Sequence, residues 1–318
     1  MRGRRVPGAE ADAVAALTES IAVLLDAGLT PRSAWSAVAA ESRRAAGGSG
    51  ADARAEAIAR AVAVAVVAFL EAQPSCAHAL LATAETDEVR AIAATWRVAE
   101  ASGAPLGHAL GVVAETLRDI AEAEREADVA LSSPRATTRL VTWLPLAGAV
   151  LAAALGADVV GAVGSAPGAV ALGSGTALLL TGRWWMRALV RRSLARRPIA
   201  GFPEELVAIA LSGGSSAEAA IVAAKSAARE AGLPPLDERG VRRVLRLAES
   251  AGAPAVELLT ASARQQRRSA RAEARRQAAV LGVRLMLPLG ACVLPSFLLL
   301  AVAPLALSLL SSTTAGLR

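Results

Sequence analysis

The stretch RLVTWLPLAGAVLAAALGADVVGAVGSAPGAVALGSGTALLLTGR, Arg139 to Arg183, decides how this chain is read. Between its two terminal arginines the only charge is Asp158. Charge-free runs flank that aspartate, Leu140–Ala157 before it and Val159–Gly182 after it. A membrane-crossing helix needs about 20 mostly apolar residues, and about 17 suffice. Gly161, Gly164, Ser165, Pro167 and Gly168 gather where two such helices would turn. The stretch therefore predicts a transmembrane hairpin over 140–182. A third uncharged run, Leu285–Leu310, is long enough to cross alone. The sequence is expected to be that of an integral membrane protein.

Composition supports a chain divided between water and lipid. Of 318 residues, 54% are hydrophobic and 19% charged, with a mean hydropathy of +0.45. The charges fill 1–139 and 183–284 and nearly vanish elsewhere, which predicts two water-facing segments around three spans. The formal net charge is +6, and Lys225 is the only lysine, so the basicity is arginine. A pI near 10.8 invites a nucleic-acid reading. Aromatics at 3% and arginines crowded beside the apolar runs argue against it. Cys76 stands in the first polar segment and Cys292 in the last apolar run, so no disulfide framework is readable. Glu10, Asp12 and Glu19 interrupt any signal-peptide core near the first residues, which predicts a cytoplasmic start.

The polar segments read as helices throughout, with no strand-like alternation. Val14, Leu17, Ile21, Leu24 and Leu25 recur at helical spacing over 10–27, and Gly28 is a stop. Thr30-Pro31 opens a second helix to about Arg44, and Gly47–Gly50 is a flexible connector. A helix over about 52–72 carries the apolar run Ala61–Leu70, too short to cross a membrane and expected in a core. Pro74 ends it. Shorter helices are expected at 76–84 and 87–101, then a break at Gly103-Ala104-Pro105 and a long charged helix over 106–131. The fold class is all-α.

Flanking charge gives an orientation. Trp184 and Trp185 sit next to Arg183, Arg187, Arg191, Arg192, Arg196 and Arg197, the signature of a cytoplasmic boundary. The turn Asp158–Gly168 carries no Arg or Lys. Arg264, Arg267, Arg268, Arg271, Arg275, Arg276 and Arg284 precede the last run. Both polar segments, 1–139 and 183–284, are therefore expected in the cytoplasm. The spans are 140–182 and 285–310, and the tail 311–318 is expected on the far side.

The two polar segments repeat one another. Ala99-Glu100-Ala101-Ser102-Gly103-Ala104-Pro105 aligns with Ala248-Glu249-Ser250-Ala251-Gly252-Ala253-Pro254, and Leu110 falls on Leu259. Upstream, Leu24–Gly28 aligns with Ala210–Gly214; downstream, Leu144-Pro145-Leu146 matches Leu287-Pro288-Leu289. Three matches in the same order indicate a duplication. The second copy is shorter: Gly28 and Gly103 lie 75 positions apart, Gly214 and Gly252 only 38. It is expected to lack the middle helices and to need a partner to complete its bundle.

This arrangement resembles the type II secretion system F family, the inner-membrane platform proteins of type II secretion, type IV pili and Tad (Flp) pili. The family's apolar helix ending in Ala-Gly or Gly-Gly, its Gly-x-Pro break and its Leu-Pro span opening fall on Gly28, Gly103–Pro105 and Pro145. They recur at Gly214, Gly252–Pro254 and Pro288. The closing Leu294-Pro295-Ser296-Phe297 and Pro304-Leu305 look like Tad platform proteins. The resemblance implies two cytoplasmic antiparallel helical bundles and a non-enzymatic role coupling a cytoplasmic ATPase to pilin assembly or export. Implied partners are a secretion or pilus ATPase, pilin-like subunits, and a second platform protein or a second copy.

No catalytic constellation is legible. There is no P-loop, His78 and His108 stand in unrelated contexts, and neither a zinc site nor a Ser-His-Asp triad is expected. No cofactor is implied. Asp158 falls in the expected turn and reads as a loop carboxylate, and a paired intramembrane aspartate is lacking. The glycine-serine stretches near 47–50 and 213–215 read as connectors and helix stops. Arg264, Arg267, Arg268, Arg271, Arg275 and Arg276 are candidates first for lipid headgroups, each arginine near the surface contributing about 1 kcal/mol. Docking to an acidic partner patch comes second and nucleic acid third. Pro145, Pro288, Pro295 and Pro304 would kink spans that pack through small residues, Gly164 and Gly168 among them. A transporter or permease subunit is the alternative function, weakened by the absence of charge pairs inside the runs.

Overall fold

Alanine, leucine and arginine, which lose little on entering a helix, are the three commonest residues of the chain. The computed structural model describes residues 6–44, 53–72, 75–129, 166–193 and 199–302, and these are all-helical, with no strand. The expected span 140–157, Pro145, Asp158, Gly164, the connector Gly47–Gly50, Pro74 and Pro304 lie outside the described residues.

In chain order the helices are α1 (Ala9–Asp26), α2 (Pro31–Arg44), α3 (Ala53–Ala72), α4 (Cys76–Ala82), α5 (Asp87–Ser102) and α6 (106–129). There follow α7 (Ala166–Ser193), α8 (Phe202–Ser212), α9 (Ala217–Glu230), α10 (Glu238–Ala251) and α11 (Ala255–Pro288). A π segment Leu289–Val293, one turn α12 (Leu294–Phe297) and a second π segment Leu298–Val302 follow α11.

Two compact units divide the chain, but not as the sequence divides it. One joins Met1–Glu126 to Arg197–Ala272; the other joins Ala127–Arg196 to Glu273–Arg318. The first unit thus takes the greater part of both polar segments. A single hydrophobic core runs through it, from Val14, Ile21 and Trp35 through Trp96 and Leu110 to Leu206 and Leu259. The physical reason is the short second copy. In the first copy α3 packs on the α1–α2 hairpin; in the second, the α8–α9 hairpin is covered by α5 of the first copy. The complement that the short repeat requires is thus supplied within the chain. Buried alanines such as Ala34, Ala63, Ala77 and Ala94 let these helices approach closely, and Trp35 packs on Trp96 with ring centroids 6.2 Å apart.

The repeat is visible in the helix ends. Gly28, Gly103, Gly214 and Gly252 all have positive φ, at 88°, 71°, 86° and 63°. After the two aligned breaks the Ala104 and Ala253 N–H groups donate to Ala99 and Ala248 carbonyls, at 3.1 and 3.0 Å, closing matching C-caps. The carbonyls of Pro105 and Pro254 then accept the first bonds of α6 and α11. One correspondence escapes sequence comparison. Gly8 and Gly201 each cap a first helix at φ 79° and 77°. A side chain there would strike a carbonyl on the copy's own long helix, Ala121 on α6 for Gly8 and Ala263 on α11 for Gly201. Helix α8 has 11 residues against 18 in α1, two turns fewer, so its glycine meets α11 correspondingly nearer that helix's start.

In the second unit, α7 packs against the terminal π and α segments. The approach is made at small residues: a β-carbon at Gly182 would lie 2.9 Å from Cys292 Cβ, and one at Gly175 would lie 2.8 Å from Leu300 Cγ. Pro288 and Pro295 cannot donate to the helix ladder and their rings press on the preceding turn. The π turn between them absorbs that, with the Leu294 N–H reaching back to Leu289. Ala255–Leu300 contains an 18-residue window of mean hydropathy 2.0, of which 28% is buried. Among the described residues this is the one helix long and apolar enough to cross a membrane. Val283, Met286, Leu287, Leu294 and Leu298 on it are exposed.

Candidate functional site

The densest polar arrangement in the first unit lies where α6, α8 and α11 meet. Pro203 in the first turn starts α8, and Glu204 and Glu205 follow it there, where a helix N-terminus favours carboxylates. Both are buried, at 2% and 1% exposure. Arg267 of α11 turns in to meet Glu205 and donates to its Oε1 through Nη1. The Thr116 hydroxyl of α6 lies 2.8 Å from Glu205 Oε2 and donates to that carboxylate. Arg267 Nε lies 3.1 Å from Asp119 Oδ2, without hydrogen-bond geometry. Arg271, one turn on, donates to the carboxylate and the carbonyl oxygen of Asp119, and its Nη1 is 3.6 Å from Glu122 Oε2. Gln266 donates to Glu204 Oε1, and Glu204 Oε2 is buried without a hydrogen-bond partner.

Burial pushes the Glu205 carboxyl above its ordinary range; Arg267 and Thr116 pull against it without overcoming the lost hydration. The network is a clamp that ties the second copy's first and last helices to the long helix of the first copy.

The same ion pair occurs in the first copy. In the register aligning Gly28 with Gly214, Glu19 falls on Glu205; in the register aligning Gly103 with Gly252, Arg118 falls on Arg267. Arg118 indeed donates to both oxygens of Glu19. There both side chains are 46% exposed, and the guanidinium holds the Glu19 carboxyl below its usual range. A second pair, Arg125 to Asp12 at 2.8 Å, also joins α1 to α6.

Of the six arginines singled out from the sequence as lipid or partner contacts, two turn inward. Arg267 is 7% exposed and Arg271 half-buried, each held by acidic side chains on other helices, so neither forms part of an outward basic face. Arg264, Arg268, Arg275 and Arg276 are exposed. Gly28, Gly103, Gly214, Gly252, Pro105 and Pro254 hold the helix ends described above, and Pro288 closes α11. Sequence reasoning misses Glu205, Asp119 and Thr116. The signal for the first of them is in the repeat, since the register of the glycine stops sets Glu205 on Glu19 and that of the breaks sets Arg267 on Arg118.

His78 and His108 are exposed and lie on different helices. Among the described residues no cluster of His, Cys, Asp and Glu has the arrangement of a metal site. Cys76 is buried at the start of α4, and burial pushes its thiol up to about 11. No protein-family model, no curated protein and no solved structure matches the chain.

Proposed function

We propose that this chain is a non-enzymatic inner-membrane platform protein of a Tad-like pilus or type II secretion machine. The observation that carries the reading is the duplicated helical module itself, joined in sequence to an exposed apolar helix. Each copy presents the same first helix, glycine stop, break and long helix, and the long helix α11 continues into the apolar window. An apolar surface of that size needs lipid or a partner to cover it.

In this reading the chain spans the bilayer three times, over 140–157, 159–182 and 285–310, with both polar segments in the cytoplasm. Sharing one core, those segments move together, which suits them to receive motion from a separate hexameric ATPase and pass it to the spans. Pilin-like subunits leaving the bilayer would then pack against spans whose small residues admit a neighbouring helix. Arg264, Arg268, Arg275 and Arg276 would face anionic headgroups or an acidic partner.

The test is affinity capture of the full chain from native membranes. Recovery of a secretion ATPase, pilin-like subunits or a second platform protein is the expected result. Recovery of none of them, from membranes that make the pilus, refutes the assignment. Topology is tested separately: protease added to sealed cells should spare both polar segments, and carbonate should leave the chain in the membrane.

A further inference from the structure

The duplication leaves one seat filled in one copy and open in the other. In the second copy, α5 packs on the α8–α9 hairpin, in which Leu206, Ile209, Ala224 and Ala227 are all 5% exposed or less. Arg97 of α5 pairs there with Glu230 of α9 at 3.0 Å. The repeat register carries those four positions onto Ser20, Val23, Val38 and Glu41 of the α1–α2 hairpin. That face is open: Val23 is 61% exposed, and Ser20, Val23, Val38 and Glu41 line a groove of about 760 Å³ between α1, α2 and α3. Helix α3 forms one wall of the groove through Glu56, Ala59 and Arg60, and the hairpin residue Ala39 is buried where its counterpart Lys225 is exposed.

The helix that would fill the seat is also present and also without its counterpart's cover. Helix α10 is the repeat equivalent of α5, with Arg246 at the position of Arg97 and Leu247 at that of Val98. Val98 is fully buried, whereas Leu247 is 56% exposed. Arg239, Arg243, Arg246 and Leu247 recur at helical spacing along one side of α10. Lys225–Glu238 and Arg242–Glu218 tie α10 to α9 of its own chain from the other side, which keeps it away from its own α1–α2 groove. On the rim of the groove Glu41, 3.4 Å from Arg44, and Glu56 are exposed beside Arg60, while Glu19 is already held by Arg118.

We infer that α10 of a second copy of this chain docks in the α1–α2–α3 groove, repeating between copies the packing that α5 makes on α8–α9 within one. Basic Arg239, Arg243 and Arg246 meet the carboxylates of the rim, and Leu247 enters the apolar floor formed by Val23, Leu24 and Val38. The contact joins two different surfaces, so it either closes reciprocally into a two-fold dimer or propagates into a ring. It stands independently of the platform assignment, since it uses only the internal repeat.

The test uses the full chain in membranes. Val23→Cys and Leu247→Cys variants, each with its own tag, are produced together and oxidised. Native Cys76 and Cys292 are both buried and stay out of the exchange. The expected product is a mixed dimer carrying both tags. Arg246→Glu in the Leu247→Cys chain should cut its yield about tenfold, and Glu41→Arg in the other chain should restore it. Both cysteine positions are exposed, so folding is preserved; Val38→Cys with Arg243→Cys provides an independent pair. Absence of mixed dimer from both pairs overturns the inference. So does Leu247→Cys pairing only with itself, or Val23→Cys captured solely by a different protein.

Discussion

At the scale of single residues, one ion pair appears twice in different surroundings, and the surroundings decide its worth. Glu19–Arg118 is half in water, so screening leaves it about 0–1 kcal/mol. Glu205–Arg267 is buried, and removing one partner strands a charge at about 3–5 kcal/mol. Arg267→Met is therefore expected to lower the denaturation midpoint of the detergent-solubilised protein far more than Arg118→Met. Adding Glu205→Gln to Arg267→Met should recover some of the loss. The pH response also differs in sign. Glu205 has its folded value raised above the ordinary 4.5 by burial, so its contribution is present below that value and lost as pH rises through the raised one. Glu19 is lowered by Arg118, so its contribution is present above the ordinary 4.5 and lost as acid protonates it. Stability measured against pH should lose its decline above about 4.5 in Glu205→Gln, and some of its acid-side decline in Glu19→Gln. The glutamate and arginine are readable as a repeat match; that one pair is dry and the other wet is not, because it depends on which helices are brought alongside.

Among the secondary elements, glycines do three different jobs. Gly252 ends α10 in the left-handed region with open space around it, so Gly252→Ala costs only backbone strain, about 1–2 kcal/mol. Gly201 has the same kind of φ, and in addition a β-carbon there would sit 2.5 Å from the Ala263 carbonyl oxygen. Gly201→Ala is expected to be the more damaging of the two by thermal denaturation. Gly182 is helical and unstrained, but its missing side chain admits Cys292. Gly182→Leu should push the terminal segment away and raise the reactivity of Cys292, now 7% exposed, several-fold toward a membrane-permeant thiol reagent. Glycine at a helix stop is legible from sequence, since periodicity ends there. Glycine at a close approach is not, because its reason lies on a helix more than 60 positions away for Gly201 and over 100 for Gly182.

Over the whole molecule, the two polar segments share one core, and the short second copy relies on the first to cover its α8–α9 hairpin. Fragment 197–272 made alone should lack stable helix by circular dichroism, and should gain it when mixed with fragment 1–126, which supplies α5 and α6. Sequence alone determined the all-α class, the helices of the first polar segment to within about two residues, the duplication and the apolar terminal helix. All of these rest on local quantities: propensity, periodicity, and runs without charge. What only the tertiary structure decided is which helix covers which. A short second copy states that something must complete it, but the choice of α5 depends on side chains that meet across more than 100 positions, as Arg97 meets Glu230. The same distance hid the inward turn of Arg267 and Arg271. On a helix drawn alone they share a face with exposed arginines, and only the carboxylates of α6 and α8 brought alongside make that edge an interior.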